Sequence, residues 1–199
     1  MINKIGLLIN YPLVDRSLYK LKMIEGLLEA NFDIKIFFSY INPLKYIEKY
    51  ISVLPKNRYR KYSALEDAGG HGNMVIWYSL RKNIPIQVTG NFNRNSAIKK
   101  ISSWKPDVLI SAGSGILRRN IIALPKYGIL HIHQGFLPNL RGLNVIPISD
   151  IVFKKIGYTI HLIDLGIDTG KILFREYLDY NETDTEREIS NRINMKGGL

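Results

Sequence analysis

The chain has no cysteine, which excludes disulfides, thiolate nucleophiles, zinc ribbons and iron–sulfur clusters together. Long apolar runs are missing too. Stretches such as Ile5-Gly-Leu-Leu-Ile9 have the length of a strand, far short of the ~20 residues that cross a bilayer. The N-terminus places a single Lys4 before a short apolar run and then Asn10-Tyr-Pro12, without the h-region or cleavage site of a secretion signal. A cytoplasmic protein with no membrane partner is therefore expected. Proline is sparse, at 8 of 199 residues, beside 16 glycines, 46% hydrophobic and 23% charged residues. That composition argues against a disordered or fibrous chain. A chain of this length suits one α/β domain that buries about 70% of its unfolded surface.

Negative charge is also scarce. The formal charge is +11, with 17 Lys and Arg against 8 Asp and Glu in residues 1–110, and 11 against 9 in residues 111–199. The densest basic piece holds Lys45, Lys49, Lys56, Arg58, Arg60 and Lys61 against Glu48 alone, interleaved with Tyr46, Tyr50 and Tyr59. Phosphate is the natural partner of such a stretch, although a plain solvated face would look the same.

Strand-length apolar runs alternate with segments of helical period, the pattern of a mostly parallel sheet with flanking crossover helices. Strands are expected at Lys4 to Asn10, Ile34 to Phe38, Ile86 to Val88, Val108 to Ala112, Gly128 to His133, Tyr158 to Ile163 and Lys171 to Leu178. Ser17 caps a helix striped by Leu18, Leu21, Ile24 and Leu28. Asn95 or Ser96 caps one through Trp104, and shorter helices fall near Leu117 to Leu124 and Val145 to Phe153. Thr183 to Asn194 closes the chain as a helix with acidic residues in its first turn. Pro43 to Tyr62 looks partly helical and Glu66 to Asn73 is a turn-rich loop.

Three of the four histidines lie between residues 131 and 161. Side chains alternate along a strand, so His131 and His133 point the same way at the C-terminal end of the sheet, where open α/β sheets bind ligands. A second element is Gly157-Tyr-Thr-Ile-His161 followed by Asp164-Leu-Gly-Ile-Asp168-Thr-Gly170. Gly166 and Gly170 permit the tight turns that bring a carboxylate toward a histidine on a neighbouring strand. His131, His133 and either His161 or Asp168 would also be an acceptable zinc or iron(II) set.

Together these motifs resemble the catalytic domain of the 10-formyltetrahydrofolate-dependent formyltransferases, the group that includes glycinamide ribonucleotide, methionyl-tRNA and amino-sugar formyltransferases. The resemblance covers residues 106 to 190. It runs through Pro106-Asp-Val-Leu-Ile-Ser-Ala-Gly113, Gly115-Ile-Leu117, Gly128-Ile-Leu-His-Ile-His-Gln-Gly-Phe-Leu-Pro138, Arg141-Gly142, and His161 with Asp168 seven residues on. It implies a single Rossmann-like α/β catalytic domain over residues 1–199, 10-formyltetrahydrofolate as formyl donor, and no metal. It further implies His133 as catalytic histidine, Asp168 as catalytic aspartate raising the histidine pKa, and His131 in the place of the catalytic asparagine. His161 resembles a second histidine that shapes the site, and Thr159 is structural.

The resemblance assigns the cofactor pocket to Ser111, Gly113, Gly115, Ile116 and Leu117, with Asp164, Leu165, Gly166 and Ile167. Asn10, Arg141 and Gly142 are assigned to the substrate, expected to be a phosphate-bearing amine on a nucleotide-linked amino sugar. Nucleic acid is the less favoured partner, and a homodimer is compatible with the sequence. The family usually continues past the last helix, which leaves truncation at residue 199 open. Besides His131 for asparagine, Gln134-Gly135 stands for the family's Pro-Ser, and Asn10 to Asp15 lacks a glycine-rich phosphate loop. A degenerate, non-catalytic binding module is the reading these departures would favour.

Overall fold

A computed structural model describes residues 1–10, 17–39 and 75–198. The basic stretch from Lys45 to Lys61, the partly helical reading of Pro43 to Tyr62 and the loop from Glu66 to Asn73 fall outside the described residues. In chain order the elements are β1 (Lys4–Asn10), α1 (Leu18–Glu29), β2 (Asp33–Ser39), α2 (Val75–Arg81), β3 (Ile86–Val88), α3 (Asn95–Ser102) and β4 (Val108–Ser111). They continue with α4 (Arg119–Ile122), β5 (Ile129–His133), α5 (Val145–Phe153), β6 (Ile156–Leu162), β7 (Ile172–Leu178) and α6 (Glu186–Gly197). The seven strands form one sheet in the order β3-β2-β1-β4-β5-β6-β7. Strands β1 to β5 pair in parallel, and β6 and β7 are added antiparallel. No helix among the described residues is long and apolar enough to cross a membrane.

Most expected elements are present, with shifted ends. The segment Val75–Arg81, unassigned in the sequence, is a helix. The helix expected through Trp104 stops at Ser102 and is preceded by Arg94 at the N-cap position. The helix expected over Leu117 to Leu124 contracts to α4, and Leu117 packs in the core ahead of it. The last helix starts three residues later than read, after Thr185, which forms a reciprocal capping box with Glu188.

Alternation along the strands divides the core. Ile5, Leu7 and Ile9 of β1 pack with Ile34, Ile36 and Phe38 of β2 under α1 and α2. Leu8, Phe37, Leu109 and Ile129 pack on the opposite face with Ile101 of α3 and Ile121 of α4. A Cβ on Gly6 would lie 2.6 Å from Leu109 Cδ2 and 2.9 Å from Phe37 Cε2, so that face closes only over a glycine.

The even residues Leu130 and Ile132 of β5 pack against the cluster beneath α1, and Ile132 also meets Ile189 and Ile193 of α6. The odd residues Ile129, His131 and His133 therefore share the other face. Antiparallel pairing aligns His131 with His161 and His133 with Thr159 on that face. Beyond Ile129 it is overlaid by two loops, residues 134–144 and 163–171, and the candidate site lies beneath them.

Candidate active site

Thr159 ties the first loop to the sheet. Its hydroxyl donates to the Gly135 carbonyl at 2.7 Å and accepts from the Leu137 N–H at 3.1 Å. Arg175 of β7 donates to the Leu137 carbonyl at 2.8 Å while its guanidinium stacks 4.9 Å from the Phe136 ring centroid. Gln134 reaches Ser190 and Asn194 of α6 at 2.7 and 3.0 Å. A Cβ on Gly135 would stand 2.8 Å from His133 Nε2 and 3.1 Å from Val145 Cγ2. Glycine at 135 is thus what lets the loop close over the His133 ring.

The second loop is folded by its own residues. Asp164 Oδ1 accepts from the Gly166 N–H at 3.0 Å and from the Thr169 hydroxyl at 2.6 Å. A Cβ on Gly170 would lie 1.8 Å from the Leu162 carbonyl, so only glycine fits there. Asp168 itself adopts a left-handed φ of 51°.

The loops meet at Asp168. Its Oδ2 lies 3.3 Å from His133 Nδ1 and accepts from the Gly142 N–H at 2.9 Å, and its Oδ1 lies 3.5 Å from His161 Nε2. His133 Nε2 is 2.8 Å from the Leu140 carbonyl and His161 Nδ1 is 2.9 Å from the Leu162 carbonyl. A carbonyl can only accept, so each of these nitrogens carries the proton. The His131 ring packs edge-on against His161, with centroids 5.5 Å apart, and its buried Nδ1 has no hydrogen-bond partner.

Electrostatics make the cluster anionic. Burial pushes both His131 and His133 below the ordinary imidazole range, and the nearby Asp168 offsets this only in part. This corrects the expectation that the aspartate leaves the His133 pKa raised: desolvation is the larger effect. Burial also opposes ionisation of Asp168, but the His161 ring, the Gly142 N–H and the charges of His133 and His131 outweigh it and hold the carboxyl at about 2. Near pH 7 the site therefore holds the Asp168 carboxylate beside neutral His131 and His133 rings.

The remaining sequence-assigned residues divide by environment. Ser111 shares a 2.6 Å hydrogen bond with Ser114. Gly113 and Gly115 take left-handed φ values of 85° and 74°. Asn10 comes close to Gly115, its Nδ2 lying 3.6 Å from where a Cβ would stand, and its Oδ1 is buried with no partner. Ile116, Leu165 and Ile167 are 75, 60 and 66% exposed. Leu117 points into the core and can offer only its backbone. Gly142, read as a substrate contact, spends its N–H on Asp168, and Arg141 is exposed.

Asn93 escaped the sequence reading. Its side chain donates to the Ile116 carbonyl at 2.9 Å and accepts from the Arg118 N–H at 2.8 Å, fixing the loop after β4. In sequence it is one of several asparagines before a helix and looks like any turn former.

Residues 74–198 match the formyl transferase family model. Methionyl-tRNA formyltransferase from Clostridium botulinum is 32% identical over 125 residues, which is 60% of this chain and 40% of that protein. The match thus spans well under half the length of such relatives. Among solved structures, glycinamide ribonucleotide transformylase 1 from Symbiobacterium toebii superposes with a TM-score of 0.68 at 17% identity, covering 99% of this chain and 82% of that one. A sugar N-formyltransferase from a Shewanella species gives 0.61 at 17% identity, covering 100% and 65%. These two share the fold. With more than half of its length matched by the family model, the chain belongs to the formyl transferase family.

Proposed function

We propose that the protein transfers a formyl group from 10-formyltetrahydrofolate to a primary amine, with His133, Asp168 and His131 at the reacting centre. One observation carries this reading: an ionised Asp168 is pinned against His133 at the C-terminal end of β5 in a chain of this family. When bound, 10-formyltetrahydrofolate supplies an N-formyl carbon open to attack by a neutral amine. The residues present fit such a donor. The exposed Ile116, Leu165 and Ile167 of the assigned cofactor pocket offer apolar surface to a flat ring.

The roles follow from protonation. Neutral His133 keeps its Nε2 proton on the Leu140 carbonyl, so Nδ1 is the nitrogen free to take a proton from an amine becoming positive. Asp168, 3.3 Å away, stabilises the imidazolium that results and so favours the transfer. The same Nδ1 then holds that proton for return to the departing nitrogen. A proton relay of this kind contributes roughly 10²-fold or more. His131 stands in the place of the family's asparagine, where a donor to the oxyanion would contribute about 3 kcal/mol.

The acceptor we favour is a nucleotide-linked amino sugar. The charge of +9 carried by residues 1–110 (17 basic less 8 acidic) suits a pyrophosphate, and Asn10 to Asp15 lacks the glycine-rich loop suited to a ribonucleotide phosphate. Assays with a nucleotide-linked amino sugar, glycinamide ribonucleotide and methionyl-tRNA side by side test this. Turnover of the sugar alone is expected, and turnover of either other acceptor at a higher kcat/KM would replace it.

A further inference from the structure

Three histidine rings and one carboxylate converge beneath the two loops. The Leu140 carbonyl takes up His133 Nε2 and the Leu162 carbonyl takes up His161 Nδ1, which leaves the other nitrogen of each ring turned toward Asp168. His133 Nδ1 faces Oδ2 at 3.3 Å and His161 Nε2 faces Oδ1 at 3.5 Å. His131 Nδ1 is a third buried ring nitrogen, without any hydrogen-bond partner. Ligand atoms of His131, His133 and Asp168 all lie within 4.8 Å of one another.

We propose that His131, His133 and Asp168 bind a divalent first-row transition-metal ion, with zinc the best match. Two imidazoles and one carboxylate form a set that suits zinc, cobalt(II) or iron(II) better than magnesium or calcium. The 3.3 Å between His133 Nδ1 and Asp168 Oδ2 equals the edge of a tetrahedron with bonds of about 2.0 Å. His131 closes on that pair when the ion enters. The outer shell is already built, since the Leu140 carbonyl orients the His133 ring and the Gly142 N–H orients the carboxylate. His161 stands beside the same carboxylate, its Nε2 3.5 Å from Asp168 Oδ1. The feature that makes the site is His131, since the asparagine that the family resemblance puts there is no comparable ligand. Ion and formyl transfer compete for the same lone pairs; this consequence rests on the formyl-transfer reading, whereas binding itself does not.

The test uses the full chain, untagged and stripped by chelator, titrated with Zn²⁺ by calorimetry and with Co²⁺ by visible absorption. One equivalent should bind in the micromolar range or tighter, and Co²⁺ should give the visible bands of a four- or five-coordinate site. His131→Asn should weaken binding by at least about 100-fold, whereas Glu182→Gln, which removes an exposed carboxylate before α6, should leave it unchanged. Co²⁺-loaded wild type should show paramagnetically shifted N–H resonances from at least two imidazoles, a readout that needs no variant to fold. Absence of saturable uptake, of shifted imidazole signals, or of any effect of His131→Asn in a folded variant would overturn the site. Binding of reduced folate in chelator is measured in parallel. Metal uptake without folate binding would sink the formyl-transfer reading alone, and folate binding without metal uptake would sink this proposal alone.

Discussion

Nδ1 of His133 and Oδ2 of Asp168 lie 3.3 Å apart although the two residues are brought together by different parts of the sheet. His133 ends a parallel strand. Asp168 follows an antiparallel one and reaches back across the sheet face, where the Gly142 N–H of the first loop secures it. Each loop therefore depends on the other, and small changes remote from the reacting atoms should be read out in turnover.

Gly135→Ala tests the close approach of loop and ring. The new Cβ would meet His133 Nε2 at 2.8 Å and Val145 Cγ2 at 3.1 Å. Overpacking at this level costs about 1–3 kcal/mol. Chemical denaturation should show that loss, and kcat should fall at least tenfold as the ring is displaced, on the order expected for misplacement near the chemistry. An alanine variant with wild-type kcat would mean that the ring position is not critical.

Thr159→Val removes the hydroxyl between the Gly135 carbonyl and the Leu137 N–H. Both backbone groups are then left buried without that partner, at a cost of about 1–3 kcal/mol. The midpoint of denaturation should drop accordingly, while Thr159→Ser should recover most of it. Equal stability of the valine and serine variants would contradict the pinning role.

Acid should destabilise the protein in two steps. His131 and His133 are lowered by burial, so the unfolded chain takes up their protons first as pH falls below about 6.5, and stability declines from there. Asp168, held at about 2 in the folded state, contributes stability that is full above its ordinary value of 3.8 and is lost as pH falls through about 2. Thermal midpoints in chelator should decrease from pH 7 to pH 5 and decrease less in His131→Asn. A midpoint that rises on acidification over this range would contradict the neutral-imidazole assignment.

Strand periodicity made the centre of the sheet legible, because β1, β2, β4 and β5 are short apolar runs between turn residues and their alternation put His131 and His133 on one face. Helix α2 was not, since Val-Ile-Trp-Tyr-Ser-Leu-Arg lacks a polar period and carries the β-branched and aromatic residues of a strand. The meeting of His133, His161 and Asp168 was implied by the family resemblance. Which nitrogen of the His133 and His161 rings faces a carbonyl could not be read, because the Leu140 and Leu162 carbonyls that decide it are backbone groups any residue type supplies. Gly135 read as a departure from a motif, and only the His133 ring beside it shows what the missing side chain permits.

His131 separates two accounts of the same position. If it serves as the oxyanion donor, His131→Ala should lower kcat by roughly 10²-fold, and His131→Asn should keep or raise activity and simplify the pH-rate profile by removing one titrating ring. An alanine variant as active as wild type would make His131 a packing residue. An asparagine variant as inactive as alanine would give the imidazole a role of its own in transfer.

Formyl transfer through His133 and Asp168 is tested by product formation in two proteins. Chelator-treated wild type and Asp168→Asn are incubated with 10-formyltetrahydrofolate and a nucleotide-linked amino sugar, and the amine product is followed by mass spectrometry alongside calorimetric folate binding. Wild type should yield the N-formyl product, and the variant should bind reduced folate within several-fold of wild type while turning over at least about 100-fold more slowly. Absence of folate binding by wild type, or equal turnover by the two proteins, would contradict the account.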